Sequence, residues 1–312
     1  MKTATIILKY TIALGVALGV FNPENVNNDP KTKKATSVNA IEKKVDSVLG
    51  LMHLNEKIGQ LVQYSGGWDA TGPSSSNGDQ YKLNKLKKGE VGSMLNITSV
   101  ASIRETQKIV MEHSRLKIPL IFGFDVIHGY KTIFPIPLGE SASWDLGIIK
   151  QSAQIAAKES AASGINWTFA PMIDVSRDAR WGRIMEGAGE DTYLNSVIGV
   201  ARIQGFQGGD LSQAHTIAAC AKHFAGYGFG EAGRDYNTVN IGDNELHNTI
   251  LPPFKAAAEA GVATFMNSFN DIDGIPATGS SMLQRDILKG AWNWKGFVVS
   301  DWGSIGEMIA HG

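Results

Sequence analysis

Ile217-Ala-Ala-Cys-Ala-Lys-His-Phe224 is an apolar run that ends in two polar side chains. It is apolar on both parities, the pattern of a strand covered on both faces rather than one facing water. Similar short runs recur on either side: Val91–Leu95, Pro119–Phe124, Trp167–Ala170, Val262–Met266 and Gly296–Ser300. Between them lie stretches of helical spacing, including Ile103–Leu116, Ile148–Ser163 and Asn244–Ala260. Strands alternating with helices predict a parallel α/β sheet. That leaves a (β/α)8 barrel or an open doubly wound sheet. Polar residues follow almost every run: Asp125 and His128, then Asp174, Arg177, Arg180 and Arg183, then Lys222 and His223, Asn267 and Asn270, and finally Asp301. Functional groups at the C-terminal ends of many strands are the barrel arrangement. A doubly wound sheet would gather its ligand groups at one crevice. The expected fold is therefore α/β, a TIM-like (β/α)8 barrel.

Composition narrows the function classes. The chain has 312 residues, 43% hydrophobic and 19% charged, ordinary globular usage. Lys plus Arg number 29 against 30 Asp plus Glu, so no global positive field exists to hold nucleic acid. Cys220 is the only cysteine, which excludes an internal disulfide framework and a cysteine-based zinc site. The seven histidines are scattered without metal spacing, so neither a metal nor a cofactor is expected.

At the N-terminus, Lys2 and Lys9 precede an uncharged apolar run from Thr11 to Phe21. Its length of about 11 residues is short of the ~20 needed to span a bilayer and fits a signal-peptide core. A buried N-terminal helix is the alternative. Residues 22–37, polar with Pro23 and Pro30, read as a linker. The expected organisation is a signal peptide over 1–21, a linker over 22–37 and one catalytic domain over 38–312, in a secreted or periplasmic protein. Ile41, Val45, Val48, Leu49 and Met52 predict a helix over 38–52, and a second follows over Leu54–Gln63.

Several motifs carry chemistry, each with a plainer reading beside it. Val298-Val-Ser-Asp301-Trp302 delivers a carboxylate and an indole from a strand end, suited to a nucleophile beside a sugar-binding aromatic face; Asp301 could instead cap the helix that follows. Lys222-His223 could be a binding pair, or a solvated Lys next to a core His. Alternation along a strand lets only one of them face the axis unless the strand bends. Asp174–Glu186 packs three Arg, two Asp, a Glu and a Trp together, either to recognise a polar ligand or as a surface ion-pair loop. Gly228–Gly233 spells G-x-G-x-x-G, but the β-branched, turn-like sequence after it predicts a loop, not a dinucleotide-binding helix. The sequons at Asn96 and Asn166 lie in or beside predicted buried strands and read as accidental.

Phe169-Ala-Pro-Met-Ile-Asp-Val with Asp178-Ala-Arg-Trp-Gly-Arg183, then Lys222-His-Phe-Ala-Gly-Tyr-Gly with Gly233-Arg-Asp-Tyr-Asn237, then Phe297-Val-Val-Ser-Asp301-Trp resemble family 3 of the glycoside hydrolases, closest to its β-glucosidase branch. The resemblance runs from about Asn39 to the last residue. It implies a barrel domain that supplies a sugar pocket. By motif, Asp301 resembles the catalytic nucleophile, and Lys222, His223 and Arg183 resemble residues that bind hydroxyls of the ring being cleaved. Asp125, in Gly123-Phe-Asp-Val-Ile-His-Gly129, resembles a carboxylate that takes two further hydroxyls. Met266 lies in a matching pocket strand, and Trp302 resembles an aromatic wall on the leaving-group side. Phe269 stands where many relatives place a Tyr, so a hydroxyl that could bond the nucleophile is absent.

The implied reaction is retaining hydrolysis of a terminal β-D-glucosyl residue. Two carboxyl groups roughly 5–5.5 Å apart would act, one as nucleophile and one as acid then base. The β-glucosidase branch draws the second carboxyl from an α/β sandwich domain after the barrel. The single-domain β-N-acetylglucosaminidase branch uses an Asp–His pair, but the corresponding loop here, Arg234-Asp-Tyr-Asn237, has no His. The expectation is a barrel that stops before its last strand, the N-terminal catalytic domain of a longer exo-acting β-glucosidase. Related β-N-acetylglucosaminidase or β-xylosidase activity, and a non-catalytic sugar-binding fragment, remain open.

Overall fold

The computed structural model describes residues 30–66 and 76–311. The predicted signal segment, residues 1–21, and the linker as far as residue 29 lie outside them. The first helix, α1 (Pro30–Leu51), starts at Pro30 rather than at residue 38, so the remainder of the predicted linker is helical. The chain divides into two units: one reaches to Phe124 and adds Ala162–Asn166 and Leu211–Ala214; the other holds Asp125–Ala161, Trp167–Asp210 and residues from His215 onward.

In the first unit, α1 and α2 (Leu54–Gly59) lead into β1 (Gln63–Ser65), then α3 (Ser76–Lys87), β2 (Ser93–Leu95), α4 (Val100–His113) and β3 (Ile121–Phe124). The strands pair in parallel, Gln63 with Ser93 and Ser93 with Ile121. α4 begins where the Ser99 side chain accepts the Ser102 N–H at 3.0 Å, which satisfies one of the unpaired amides of the first turn. The α1 face that the periodicity singles out is buried: Val45, Leu49 and Met52 pack with Leu116 and Ile118. Asn96 does not lie in a buried strand; it is exposed just past β2, with φ at +61°.

The second unit contains α5 (Pro137–Ser141), α6 (Leu146–Ser163), β4 (Trp167–Thr168), α7 (Thr192–Gln207), β5 (Cys220–Phe224), α8 (Leu251–Glu259), β6 (Thr264–Asn267), β7 (Asp271–Ile272), β8 (Ile275–Pro276), β9 (Phe297–Val299) and α9 (Ser304–His311). β5 pairs in parallel with β6, and β6 with β9. Parallel bridges from Trp167 to Ala218 and from Met172 to Lys222 tie the β4 segment to β5. Trp167 is the hub of this core. Its ring meets Phe169 and Phe297 edge-on, and its Nε1 donates to Thr264 Oγ1 at 2.9 Å, so the polar end is satisfied where the ring is buried.

No predicted element covers β1, α3, α5 or α7, and two further features were not foreseen. β7 and β8 form an antiparallel hairpin around Asp273-Gly274, both at positive φ, the backbone that a two-residue type I′ turn needs. Residues Met282–Ala291 form a π-helix. Parallel strands alternating with helices otherwise bear out the predicted α/β class.

Candidate active site

The site lies within the second unit and is assembled from strand ends. β5 and β6 pair Cys220 with Thr264 and Ala221 with Phe265, but the register then shifts so that Phe224 lies opposite Asn267. That irregularity answers the alternation problem: Lys222 and His223 are both buried and both meet carboxylates. Lys222 Nζ lies 3.0 Å from Asp125 Oδ1, which follows β3 in sequence and keeps its side chain half open to solvent. His223 is clasped by Asp174, whose Oδ2 accepts its main-chain N–H at 2.7 Å and lies 2.9 Å from Nδ1. On its other side, His223 Nε2 is 3.5 Å from Asp301 Oδ2.

Asp301 follows β9. Its N–H donates to Asn267 Oδ1 at 3.1 Å, and its Oδ1 accepts the Trp302 N–H at 2.6 Å. Helix α9 is entered through the Asp301 main-chain carbonyl, which accepts from Ser304 N–H, so the carboxylate is not spent on the α9 amides as a cap would be. Its Oδ2 is buried and, among the described residues, has no hydrogen-bond partner. Burial pushes the Asp301 carboxyl up to about 6, against the Trp302 N–H and the charges of Lys222 and Arg183, which pull it down. Asp174 is raised further by burial, to about 7, despite the His223 N–H. Burial, then the positive charges of Arg183 and Lys222, hold His223 well below its ordinary value, so its ring is neutral.

The arginine-rich segment divides. Arg180 pairs with Asp178 in solvent at 2.6 Å, and Arg177 reaches Glu245 at 3.6 Å. Only Arg183 turns inward. Its Nε and Nη2 grip the two oxygens of Glu186 at 2.7 and 2.9 Å, and its guanidinium lies 5.4 Å over the Tyr227 ring. Burial would raise Glu186, but this fork holds its carboxyl below the usual range. Trp181 is buried and donates Nε1 to Asp235 Oδ1 at 2.8 Å, pinning the loop after β5. That loop consists of short 3-10 turns over Tyr227–Phe229 and Glu231–Gly233, as the turn-like sequence predicts, not a phosphate-binding helix. Gly228 is required there, because a Cβ would stand 2.2 Å from the Val175 carbonyl oxygen.

Of the predicted site residues, Asp125, Arg183, Lys222, His223 and Asp301 come together. Met266 is buried on β6, in register with Val299. Trp302 projects outward and is 64% exposed. Asp174, Glu186, Asn267 and Tyr227 complete the cluster; the sequence placed them in its motifs and at strand ends but gave none of them a role of its own. For Asn267 the only signal was a polar residue directly after an apolar run; Asp174 had that signal and also opens the charged segment. Among glutamates that could donate a proton, Glu186 is committed to Arg183, Glu190 is exposed, and Glu231 is exposed and accepts from Asn240. A carboxylate with one unpartnered oxygen, flanked by a cation, a neutral imidazole and an exposed indole, can attack a carbon held by its neighbours' hydrogen bonds.

Comparison with known proteins gives the family of the chain. The profile described as "Glycosyl hydrolase family 3 N terminal domain" matches residues 53–312. A periplasmic beta-glucosidase from Salmonella typhimurium is 41% identical over 310 residues, covering 98% of this chain and 39% of its own. A beta-xylosidase from Formosa agariphila is 31% identical over 299 residues, covering 95% and 36%. The crystal structure of a beta-glucosidase from Listeria innocua in complex with glucose superposes with a TM-score of 0.79 at 41% identity, over 86% of this chain and 39% of that one. The chain thus spans about two-fifths of the length of the relatives it matches.

Proposed function

The chain belongs to glycosyl hydrolase family 3, and from that premise we propose that it is the sugar-binding, nucleophile-bearing part of a retaining β-glucosidase that removes terminal β-D-glucosyl residues. The observation that carries the proposal is the Asp301 carboxylate: one oxygen is tied to the Trp302 N–H, and the other is buried with no hydrogen-bond partner among the described residues. In the first step Asp301 Oδ2 forms a bond to the anomeric carbon while the bond to the leaving oxygen breaks. In the second, water adds at that carbon, gives up its proton to a base and frees Asp301. Lys222, His223, Arg183 and Asp125 bind ring hydroxyls, Met266 lines the pocket strand, and Trp302 walls the leaving-group side. The fold is of the (β/α)8-barrel type, with this site at the C-terminal ends of the second unit's strands.

The acid that protonates the leaving oxygen lies outside the residues of this cluster, because the nearby glutamates are committed or exposed. A β-N-acetylglucosaminidase reading finds less support: Asp235 is exposed, held by Trp181, and has no His beside it in sequence. Export to the periplasm fits the apolar N-terminal run and the relative named a periplasmic beta-glucosidase. Among the described residues no helix is long and apolar enough to cross a membrane.

The test is aryl alcohol release from an activated aryl β-glucoside, which barely needs a general acid. Release should occur, exceed that from the matching β-xyloside, and vanish in Asp301→Asn. An alkyl β-glucoside should react about 10²–10⁴ times more slowly, the usual contribution of a positioned acid. Release that survives Asp301→Asn would defeat the proposal.

A further inference from the structure

His223 is held from one side by a group with no evident part in sugar binding. One oxygen of Asp174, Oδ2, receives the His223 main-chain N–H at 2.7 Å and lies 2.9 Å from Nδ1. A main-chain N–H only donates, so Oδ2 is an acceptor there, and an acceptor oxygen takes its second bond from a protonated Nδ1. The ring is neutral, and a neutral imidazole carries one proton, so Nε2 is then a bare acceptor. The charged and titratable groups acting on the ring are Asp174, Asp301, Arg183 and Lys222, and the Tyr227 ring meets it edge-on at 5.0 Å. Among the described residues Nε2 has no hydrogen-bond partner, and neither does Asp301 Oδ2, 3.5 Å away. Two acceptors facing each other at that distance do not satisfy one another; a hydroxyl donor satisfies Nε2.

Resting on the glycosidase reading, we propose that Asp174 is a positioning residue that fixes His223 as its Nδ1–H tautomer, so that Nε2 accepts a hydrogen bond from a ring hydroxyl and gives no proton to Asp301. The second half matters as much as the first. A proton on Nε2 would point at Asp301 Oδ2 and blunt the electron pair that must attack. Protonation of Asp174 does not undo the arrangement: its Oδ1 is buried and unpartnered and can carry the proton, leaving Oδ2 as the acceptor. Lys222 carries only donors and His223 offers only an acceptor, so adjacent ring oxygens are recognised in opposite senses. A substrate with fluorine or methoxy in place of the hydroxyl facing His223 loses that bond.

The deciding experiment is long-range ¹H–¹⁵N spectroscopy of the ¹⁵N-histidine-labelled chain from pH 5 to 8, with His223 assigned from the signal lost in His223→Asn. The expected result is a proton-bearing Nδ1 and a bare Nε2 throughout. A proton on Nε2, alone or with one on Nδ1 at neutral pH, overturns the proposal. Two variants extend the test. Asp174→Asn keeps an oxygen acceptor and should retain the tautomer and most of kcat/KM on the activated glucoside. Asp174→Ala should move the proton to Nε2 and lower kcat/KM by about 10²–10³, the scale of losing one preorganised polar contact at a reacting centre. Equal losses in both variants, with the tautomer unchanged in Asp174→Ala, would mean a merely structural role and would also overturn it. If Asp174→Ala does not fold, the wild-type spectrum still decides. If the wild type shows the Nδ1–H tautomer but releases no aryl alcohol, the glycosidase reading fails and the role of Asp174 in fixing the ring stands.

Discussion

In the proposed reaction Asp301 meets two opposing demands. It must be ionised to attack, yet it is buried enough that its carboxyl is raised from an ordinary 3.8 to about 6. The acid limb of kcat/KM should therefore have its midpoint near pH 6, with activity rising toward neutrality. A limb near pH 4, measured with the activated aryl glucoside, would mean that another group controls ionisation. The same shift bears on stability. Between about pH 4 and 6 the folded protein retains a proton that the unfolded chain has released, so the contribution of Asp301 to stability falls across that window and stays low above it. Asp301→Asn should accordingly be more stable than wild type at pH 8, by about 1–3 kcal/mol, with most of that difference gone by about pH 4, where the folded carboxyl is protonated. Thermal melts at the two pH values check this, and a variant less stable at pH 8 would refute it. Such a gain from removing a functional charge is the usual trade between stability and activity.

At the scale of elements, the close approach of α7 to its neighbours is set by small residues. A Cβ on Gly205 would stand 2.5 Å from the Lys150 carbonyl oxygen and 2.6 Å from Ala153 Cβ on α6. Helix propensity alone favours Ala over Gly by about 1 kcal/mol. Packing should win here, so Gly205→Ala is expected to lower stability by about 1–3 kcal/mol in denaturant titration, the range for overpacking. A stabilised variant would show that α6 and α7 can separate at little cost. Beside that contact, Arg202 on α7 pairs with Glu140 on α5 and donates to the Ile127 carbonyl at 2.7 Å, all away from solvent.

These elements show what the sequence makes legible. Most of the parallel strands could be read because they are short apolar runs followed by polar residues, and the placement of Asp125, Lys222, His223 and Asp301 followed from those ends. The hairpin β7–β8 was signalled by Asp273-Gly274, but its strands are too short for an alternation pattern to be visible. The start of α1 was misplaced because residues 30–37 are polar and carry no apolar stripe. The role of Asp174 could not be read, since it depends on a register shift at β5 that brings adjacent side chains to bear on different carboxylates. The spacing of the arginine segment did not separate its three arginines, though the family resemblance picked out Arg183; folding turned that one inward and left Arg177 and Arg180 at the surface.

For the whole molecule, the second unit carries the predicted ring-binding side chains together with the proposed nucleophile, whereas among the described residues no glutamate of the cluster is free to protonate the leaving group. On the proposed reading, binding and attack reside in these residues, and protonation of the leaving group is contributed from outside the cluster. That division makes Asp301 separable from the rest of the chemistry. An activated 2-deoxy-2-fluoro-β-glucoside forms the glycosyl–enzyme bond without help from an acid and slows its breakdown. Treating the chain with this reagent and mapping the modified peptide by mass spectrometry is the most direct measurement of the account. One fluoroglucosyl group on the peptide carrying Asp301, absent in Asp301→Asn, is the predicted result. A label on Asp174, Asp125 or Glu186, or no label under conditions where the sugar binds, would contradict it.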